Sequence, residues 1–341
     1  MQAVVKVAPG VGHVELREVP EPQVGPGQVK IAVQAAGICG TDLHIYDAEY
    51  ASRPPVILGH EMAGQVVEVA PDVTEVAVGD RVTALPFAVT CMRCTYCRQG
   101  DYALCPSRLS FGSGVDGAFA PYLVIPAHIV RRLPDQIDCE CGALTEPLAC
   151  CCKAVLLSAT VRAGDVAAIV GPGPIGLLAL QLAKLQGAET VLIGTAADAG
   201  RLEVGRSLGA DHVLVAGQDD VPMALAALTA GEGADVVVEC AGAPAATRLA
   251  VQIARKRGQL AQMGLHGKSF ELDFQQIVYK DLRVIGSFAS SGPAWERALT
   301  LLQQGRIQLR PLISSVLPLA QWEEGFDLSR SKSGLKVLLK P

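Results

Sequence analysis

Short apolar runs, some alternating and some continuous, mark out the first part of the chain. QAVVKVA (2–8), KIAVQAAG (30–37), GQVVEVA (64–70) and DRVTAL (80–85) are of strand length, and Gly/Pro turns separate them. Such a pattern predicts a compact, mostly-β unit reaching to about Val155. From Val166 the texture changes. DVAAIV (165–170) has the character of a short buried strand, and PIGLLALQLAKLQG (174–187) has helical apolar spacing closed by Gly187. The alternation then repeats. TVLIGT precedes RLEVGRSLG, HVLV precedes VPMALAALTAG, ADVVVECAG precedes the helical PAATRLAVQIARKRG, and QLAQMG closes the series. Strands alternating with helices imply a doubly wound parallel sheet with right-handed crossovers. After Gly286, AWERALTLLQQG has a helical pattern and GLKVLL that of a final strand.

Composition narrows the class. A chain of 341 residues, half of them hydrophobic and 18% charged, suits two packed domains rather than a single core or a disordered chain. The net charge of −5, with Lys and Arg spread along the chain, supplies no basic face for nucleic acid or an anionic membrane. The longest apolar run, Val166 to Ala183, is interrupted by GPGPIG and makes a poor membrane span. The N-terminus, MQAVVKVAPG, lacks the apolar block of a signal peptide, so a soluble, cytoplasmic protein is expected. Eleven cysteines in such a protein point to metal ligands and buried thiols rather than a disulfide framework.

Two motifs carry chemistry. In VGPGPIG, the residues Gly171, Gly173, Pro174, Ile175 and Gly176 follow a strand and open a helix, the context in which G-x-G-x-x-G binds a dinucleotide. Gly171 permits the tight turn, Gly173 the approach of the pyrophosphate, and Gly176 close helix–sheet packing. The acidic residue that usually holds the ribose 2′-OH is missing, because Thr195 occupies that place. Asp198 and Arg201 come later, so the reading is NAD or NADP. The second motif is C-x2-C-x2-C-x7-C, formed by Cys91, Cys94, Cys97 and Cys105. Four thiolates close a tetrahedral shell around Zn²⁺ and leave no position for a substrate.

A site with an open position has to be assembled from elsewhere. GICGTDLH offers Cys39, Thr41, Asp42 and His44, GHE offers His60 and Glu61, and LTEPL offers Glu146. One Cys, one His and one carboxylate suit a three-ligand zinc that acts as a Lewis acid on an alcohol oxygen or a carbonyl. Singly, Cys39 or His60 would pass for a buried core residue.

These segments, GICGTDLH, GHEMAGQVVEVAPDV, the four-cysteine lobe, EPL and VGPGPIG, occur in the order found in zinc-containing medium-chain alcohol dehydrogenases. The chain resembles that family over its whole length, especially the polyol and threonine dehydrogenase branch. The resemblance implies a GroES-like catalytic domain formed by residues 1–153 and 289–341, with a zinc lobe at about 88–106. A Rossmann NAD(P)-binding domain would occupy 154–288. It further implies two zinc ions per chain, a homotetramer or homodimer, and a small alcohol or polyol as substrate. Cys39 and His60 would hold the catalytic zinc with Glu61, or Glu146 in some states, while Thr41 and His44 would pass the hydroxyl proton outward.

Sorbitol-type members carry an Arg–Tyr pair just after the segment matching VIGSF. Here Phe288 is followed by Ala289, Ser290 and Ser291, which argues against a long polyhydroxylated substrate. The same stretch does not match the threonine enzymes either. Cys139, Cys141, Cys150, Cys151, Cys152 and Cys240 are expected to be small packing side chains, since consecutive helical positions point in different directions. The leading expectation is thus an alcohol or polyol dehydrogenase producing a ketone. A threonine-type amino-alcohol dehydrogenase and a non-catalytic nucleotide-binding protein are the alternatives.

Overall fold

The computed structural model describes all 341 residues, which form two compact units. The first comprises Met1–Glu146, Ser290–Gln304 and Ile313–Pro341, and the second Pro147–Ala289 and Gly305–Leu312. The division thus falls seven residues before the expected 153/154 boundary, and a short C-terminal segment belongs with the nucleotide-binding unit. Gln181 explains that segment: its side chain accepts from the Gln308 N–H (2.8 Å) and donates to the Gln308 carbonyl (3.1 Å).

In the first unit, strands Ile313–Pro318, Lys336–Lys340, Gln28–Gly37, Glu61–Val69, Arg81–Ala84 and Val130–Arg132 lie side by side, with Tyr122–Pro126 also paired to Gln28–Gly37. A small sheet of Val14–Glu18, Gln2–Lys6 and Val56–Ile57 accompanies it. The register is what matters for the site. Gly37 sits opposite both Glu61 and Leu338, so the strand that starts at Glu61 and the last strand of the chain meet at one glycine. A Cβ at Gly37 would lie 2.3 Å from Glu61 Oε2 and 3.3 Å from Lys336 Cδ. Glycine here makes room for two charged side chains.

The second unit carries a six-stranded parallel sheet, its strands numbered here along the chain. They are β1 (Val166–Val170), β2 (Glu189–Thr195), β3 (His212–Ala216), β4 (Ala234–Glu239), β5 (Ala254–Gln262) and β6 (Arg283–Gly286). Their spatial order, β3-β2-β1-β4-β5-β6, is that of the doubly wound dinucleotide-binding fold. The central strands β1, β2 and β4 are nearly continuous buried apolar runs, as expected where both faces are covered. Ala168, Val191, Val237, Val251 and Leu260 belong to one buried cluster, each Val or Leu contributing about 1.5–3 kcal/mol through burial. One helix is shorter than its pattern suggests. PAATRLAVQI forms helix Pro244–Ile253, but ARKRG begins β5. Ala254 pairs in register with Ala234 of β4, and the Arg255 side chain reaches Asp235 of the same strand at 2.6 Å.

The helical stretch Cys139–Ser158 is long and apolar enough to cross a membrane, by length and composition alone, and two-thirds of it is buried within the protein. Its last part, Cys152–Ser158, is π-helical. Cys139, Cys141, Cys151 and Cys152 are buried, and no cysteine in the chain is disulfide-bonded.

Candidate active site and metal centres

The four lobe cysteines converge. Their sulfurs all lie within 4.8 Å of one another, and Cys91 Sγ and Cys97 Sγ are 3.9 Å apart. A tetrahedron with bonds of about 2.3 Å has edges of about 3.8 Å, so the spacing fits zinc. The loop builds this locally. The N–H groups of Cys91, Cys94 and Cys97 each point at the sulfur of another cysteine of the set, at 3.3–3.4 Å. Backbone donors bring the Cys91 thiol down to about 6, while burial, together with the neighbouring sulfurs, pushes Cys97 up to about 12. Four such sulfurs can be thiolates together only around a cation.

The second donor set is assembled over a long range. Cys39 stands at the N-terminus of helix Gly40–Tyr46, and His60 and Glu61 stand where the strand Glu61–Val69 begins. Their ligand atoms also fall within 4.8 Å of one another. Gly59, at φ +88°, turns the chain into this position, and a side chain there would strike Phe119. One sulfur, one imidazole and one carboxylate form a three-ligand set with room for a fourth partner.

Two surrounding residues, Asp42 and Lys336, support the set. Asp42 is fully buried. Its Oδ2 accepts from the Cys39 N–H at 2.9 Å, while Oδ1 has no hydrogen-bond partner and lies 3.6 Å from His60 Nδ1. A carboxylate beside one ring nitrogen orients the imidazole so that the other nitrogen can ligate. Burial opposes a charge on His60, yet Asp42 and Cys39 hold its pKa well above the ordinary value. Lys336 answers Glu61: its Nζ donates to both carboxylate oxygens, at 2.8 and 2.6 Å, and to the Ile38 carbonyl at 3.0 Å. Burial again works against that ammonium, and Glu61 and Cys39 more than compensate, raising its pKa.

The sequence reading missed Lys336 and gave Asp42 no role. The available signal was a Lys opening the apolar run of KVLLK, since a lysine buried there needs a partner. Glu146 is buried at the start of helix Thr145–Cys151 and acts on Lys336 electrostatically, but it lies outside the Cys39–His60–Glu61 set. Thr41 and His44, implied as the proton relay, are not hydrogen-bonded to each other. Thr41 Oγ1 accepts from Cys39 Sγ at 3.7 Å, and His44 Nδ1 is 2.8 Å from Glu49 Oε2. Both residues sit on one short helix, and each finds a nearer partner.

The glycine-rich turn follows β1. Gly171 has φ +103°, a region that favours glycine, and a Cβ there would press on Ala241. A Cβ on Gly176 would lie 1.8 Å from the Gly171 carbonyl oxygen, so helix and turn pack backbone to backbone. Gly173 differs: a side chain there would meet nothing within 4 Å, and its backbone conformation is open to any residue. Nothing within the protein requires that glycine, whereas a pyrophosphate approaching the N-terminus of helix Pro174–Leu185 does. Pro174 takes the first helical position, and the Ile175 carbonyl accepts from Cys151 Sγ at 3.3 Å. At the end of β2, Thr195 donates to Asp198 Oδ2 through its N–H (3.0 Å) and its hydroxyl (2.6 Å). Asp198 is thereby turned inward and buried, with Arg201 at 3.9 Å. Burial lowers the pKa of that arginine, against the pull of Asp198.

An open three-donor set in one unit and a dinucleotide fold in the other define a metal-assisted, nucleotide-linked oxidoreductase. The family profile of the alcohol dehydrogenase GroES-like domain matches residues 25–135, and that of the zinc-binding dehydrogenases matches 174–304. The chain is 38% identical to the sorbitol dehydrogenase of Halalkalibacterium halodurans over 342 aligned positions, covering 100% of this chain and 99% of the relative. It is 38% identical to the L-threonine 3-dehydrogenase of Pyrococcus horikoshii, covering 99% and 98%. A solved structure assigned to the zinc-binding dehydrogenases, from Sinorhizobium meliloti and bound to NADP, superposes with a TM-score of 0.91 at 35% identity, covering 100% and 99%. The chain belongs to the zinc-containing medium-chain alcohol dehydrogenase family. It is a zinc-dependent enzyme that transfers hydride between an alcohol or polyol and NAD(P).

Proposed function

We propose that Cys39, His60 and Glu61 hold the catalytic zinc, that Cys91, Cys94, Cys97 and Cys105 hold a structural one, and that the substrate is a small secondary alcohol or vicinal diol, oxidised to a ketone. The convergence of Cys39, His60 and Glu61 within 4.8 Å, beside the buried Asp42 and Lys336, carries this reading. When bound, zinc supplies a Lewis acid that stabilises negative charge on the substrate oxygen, and NAD(P) accepts the hydride. The protein does the rest. Asp42 fixes the imidazole of His60, and Lys336 neutralises Glu61 so that the carboxylate tolerates burial. Glu146 is a reserve carboxylate rather than a resting ligand. Thr41 accepts the substrate's hydroxyl proton while giving up its own, and His44, partly exposed and backed by Glu49, exchanges protons with water. The two are not bonded directly, so a further hydroxyl or water has to bridge them.

The preference for a small substrate rests on the segment after β6. Ser290 and Ser291 are buried, and Ser290 Oγ accepts from the Trp295 indole N–H at 2.9 Å. The Ser290 hydroxyl is thus taken up by Trp295, and two short buried serines do not replace the missing Arg–Tyr pair of the sorbitol-type enzymes. L-threonine remains the second reading, because a relative of that activity is as similar as the sorbitol enzyme. We further propose that both NAD and NADP are accepted. Asp198 is occupied by Thr195, so no free carboxylate at the end of β2 repels a 2′-phosphate, and Arg201 stands near. One experiment tests the set: a panel of secondary alcohols, diols, polyols and L-threonine with each cofactor, alongside zinc analysis. Two zincs with diol turnover support the reading, and activity confined to sorbitol or to L-threonine overturns it.

A homotetramer, or a homodimer, is proposed as the assembly. Phe274, Val278 and Tyr279 are 66–70% exposed. They precede β6, an edge strand of the sheet, and such an apolar rim beside an open edge suits a second copy. Sedimentation velocity decides this, and a monomer at micromolar concentration refutes it. A cytoplasmic location is proposed on the free state of all eleven cysteines.

A further inference from the structure

Glu239, the last residue of β4, is fully buried and takes part in no ion pair with Lys or Arg. Its partners are neutral donors. Oε1 accepts from the Ala241 and Gly242 N–H groups at 2.8 and 3.0 Å, and Oε2 accepts from Gln262 Nε2 at 2.5 Å. Gln262 donates again to the Gly264 carbonyl at 2.9 Å. One carboxylate therefore ties together the turns that follow β4 and β5. They fit so closely that a Cβ on Gly264 would lie 2.2 Å from the Gly242 nitrogen and 2.5 Å from Glu239 Oε2. The other flank of the first turn is Ala241, against which Gly171 of the glycine-rich turn packs.

Position gives this charge its meaning. β4 lies beside β1, where the strand order reverses, and a dinucleotide binds across the carboxyl ends of the strands at such a point. The glycine-rich turn after β1 takes the pyrophosphate, and the half of the sheet beginning at β4 faces the nicotinamide half. A buried carboxylate held only by neutral groups is costly to the fold, because desolvation is not repaid by a counter-charge. Burial does push the Glu239 carboxyl above its ordinary range, against the N–H donors and the charge of His266 that pull it down. The oxidised nicotinamide ring is a cation and the reduced ring is neutral, so a fixed anion near that half distinguishes the two forms.

We propose that Glu239 is a positioning residue for the nicotinamide half of the cofactor and that its buried negative charge favours the oxidised over the reduced dinucleotide. This inference rests on the reading of the second unit as the NAD(P) site. A bias of about tenfold in affinity corresponds to about 1.4 kcal/mol.

The test is the ratio of the dissociation constants of NAD⁺ and NADH (or of the NADP pair), from calorimetry and nicotinamide fluorescence, in wild type and Glu239→Gln. The variant keeps the volume and an acceptor oxygen. Its affinity for the oxidised form falls about tenfold while NADH binding stays within about twofold. Gln262→Lys is the second variant. It keeps a donor on Glu239 and adds the missing counter-charge, so it moves the ratio in the same direction and decides the matter if Glu239→Gln does not fold. An unchanged ratio in a folded variant overturns the proposal, as does equal weakening of both forms, which marks a purely structural role. Failure of the wild type to bind any dinucleotide would instead remove the underlying reading of the unit.

Discussion

The two cysteine-containing donor sets lie in the same unit and differ in every respect that matters for function. The lobe draws four like ligands from fifteen consecutive residues, shapes them with its own N–H groups and leaves no position open. The Cys39 site draws three unlike ligands from two segments. It relies on Asp42 to aim the imidazole and on Lys336, 275 residues from Glu61, to balance the carboxylate. A closed shell of identical donors stabilises a loop. An open shell of mixed donors needs a support that neutralises and orients it, and that support comes from distant strands.

Four predictions bear on this contrast, the largest effect first. Cys39→Ser lowers turnover by about a thousandfold or more, since the Lewis acid contributes several kcal/mol to the transition state. Far-UV circular dichroism is expected to stay as in wild type while one of two zincs is lost by mass spectrometry. Near-normal turnover would put the catalytic metal elsewhere. Cys97→Ser does the reverse, because a structural zinc contributes folding energy directly. It lowers the melting temperature and exposes the lobe to protease while the Cys39 site retains its metal. Equal loss of both metals would dissolve the distinction between the sites.

Lys336→Met isolates the support. It leaves Glu61 buried without a counter-charge, and breaking a buried pair in this way costs about 3–5 kcal/mol. Urea unfolding of the zinc-stripped protein reads that loss directly, and a change below about 1 kcal/mol would show that the pair does not sustain the site.

The smallest effect is a control from the other unit. Burial pushes the Asp211 carboxyl up, but the Lys184 ammonium and the Thr190 N–H and hydroxyl outweigh it and bring the pKa to about 2. A depressed folded-state pKa contributes stability above the unfolded value of about 3.9, and that stability is lost as pH falls toward about 2. Asp211→Asn therefore flattens the acid limb of the urea midpoint between about pH 4 and 2, without moving zinc content. A changed zinc content would tie this acid response to the metal sites.

Much of the fold was legible because its signals are local. The β/α rhythm from Val166 onward, the glycine-rich turn and the C-x2-C-x2-C-x7-C spacing each depend on residues close along the chain. ARKRG was misread as helix because its partner, Asp235 on β4, is not adjacent in sequence. The resemblance implied a proton relay through Thr41 and His44, and only the structure shows that these side chains bond to Cys39 and Glu49.

The sequence by itself determined the class of the protein: two units, a dinucleotide turn, a closed cysteine set, and the donor types for an open one. Only the tertiary structure decided how that open set is sustained. Gly37 leaves the space, register brings Glu61 beside the last strand, and Lys336 fills the charge. Local spacing fixes which atoms can ligate, because a short loop has few conformations. The compensation of a buried charge is a property of whatever the fold packs against it, and no spacing along the chain records that.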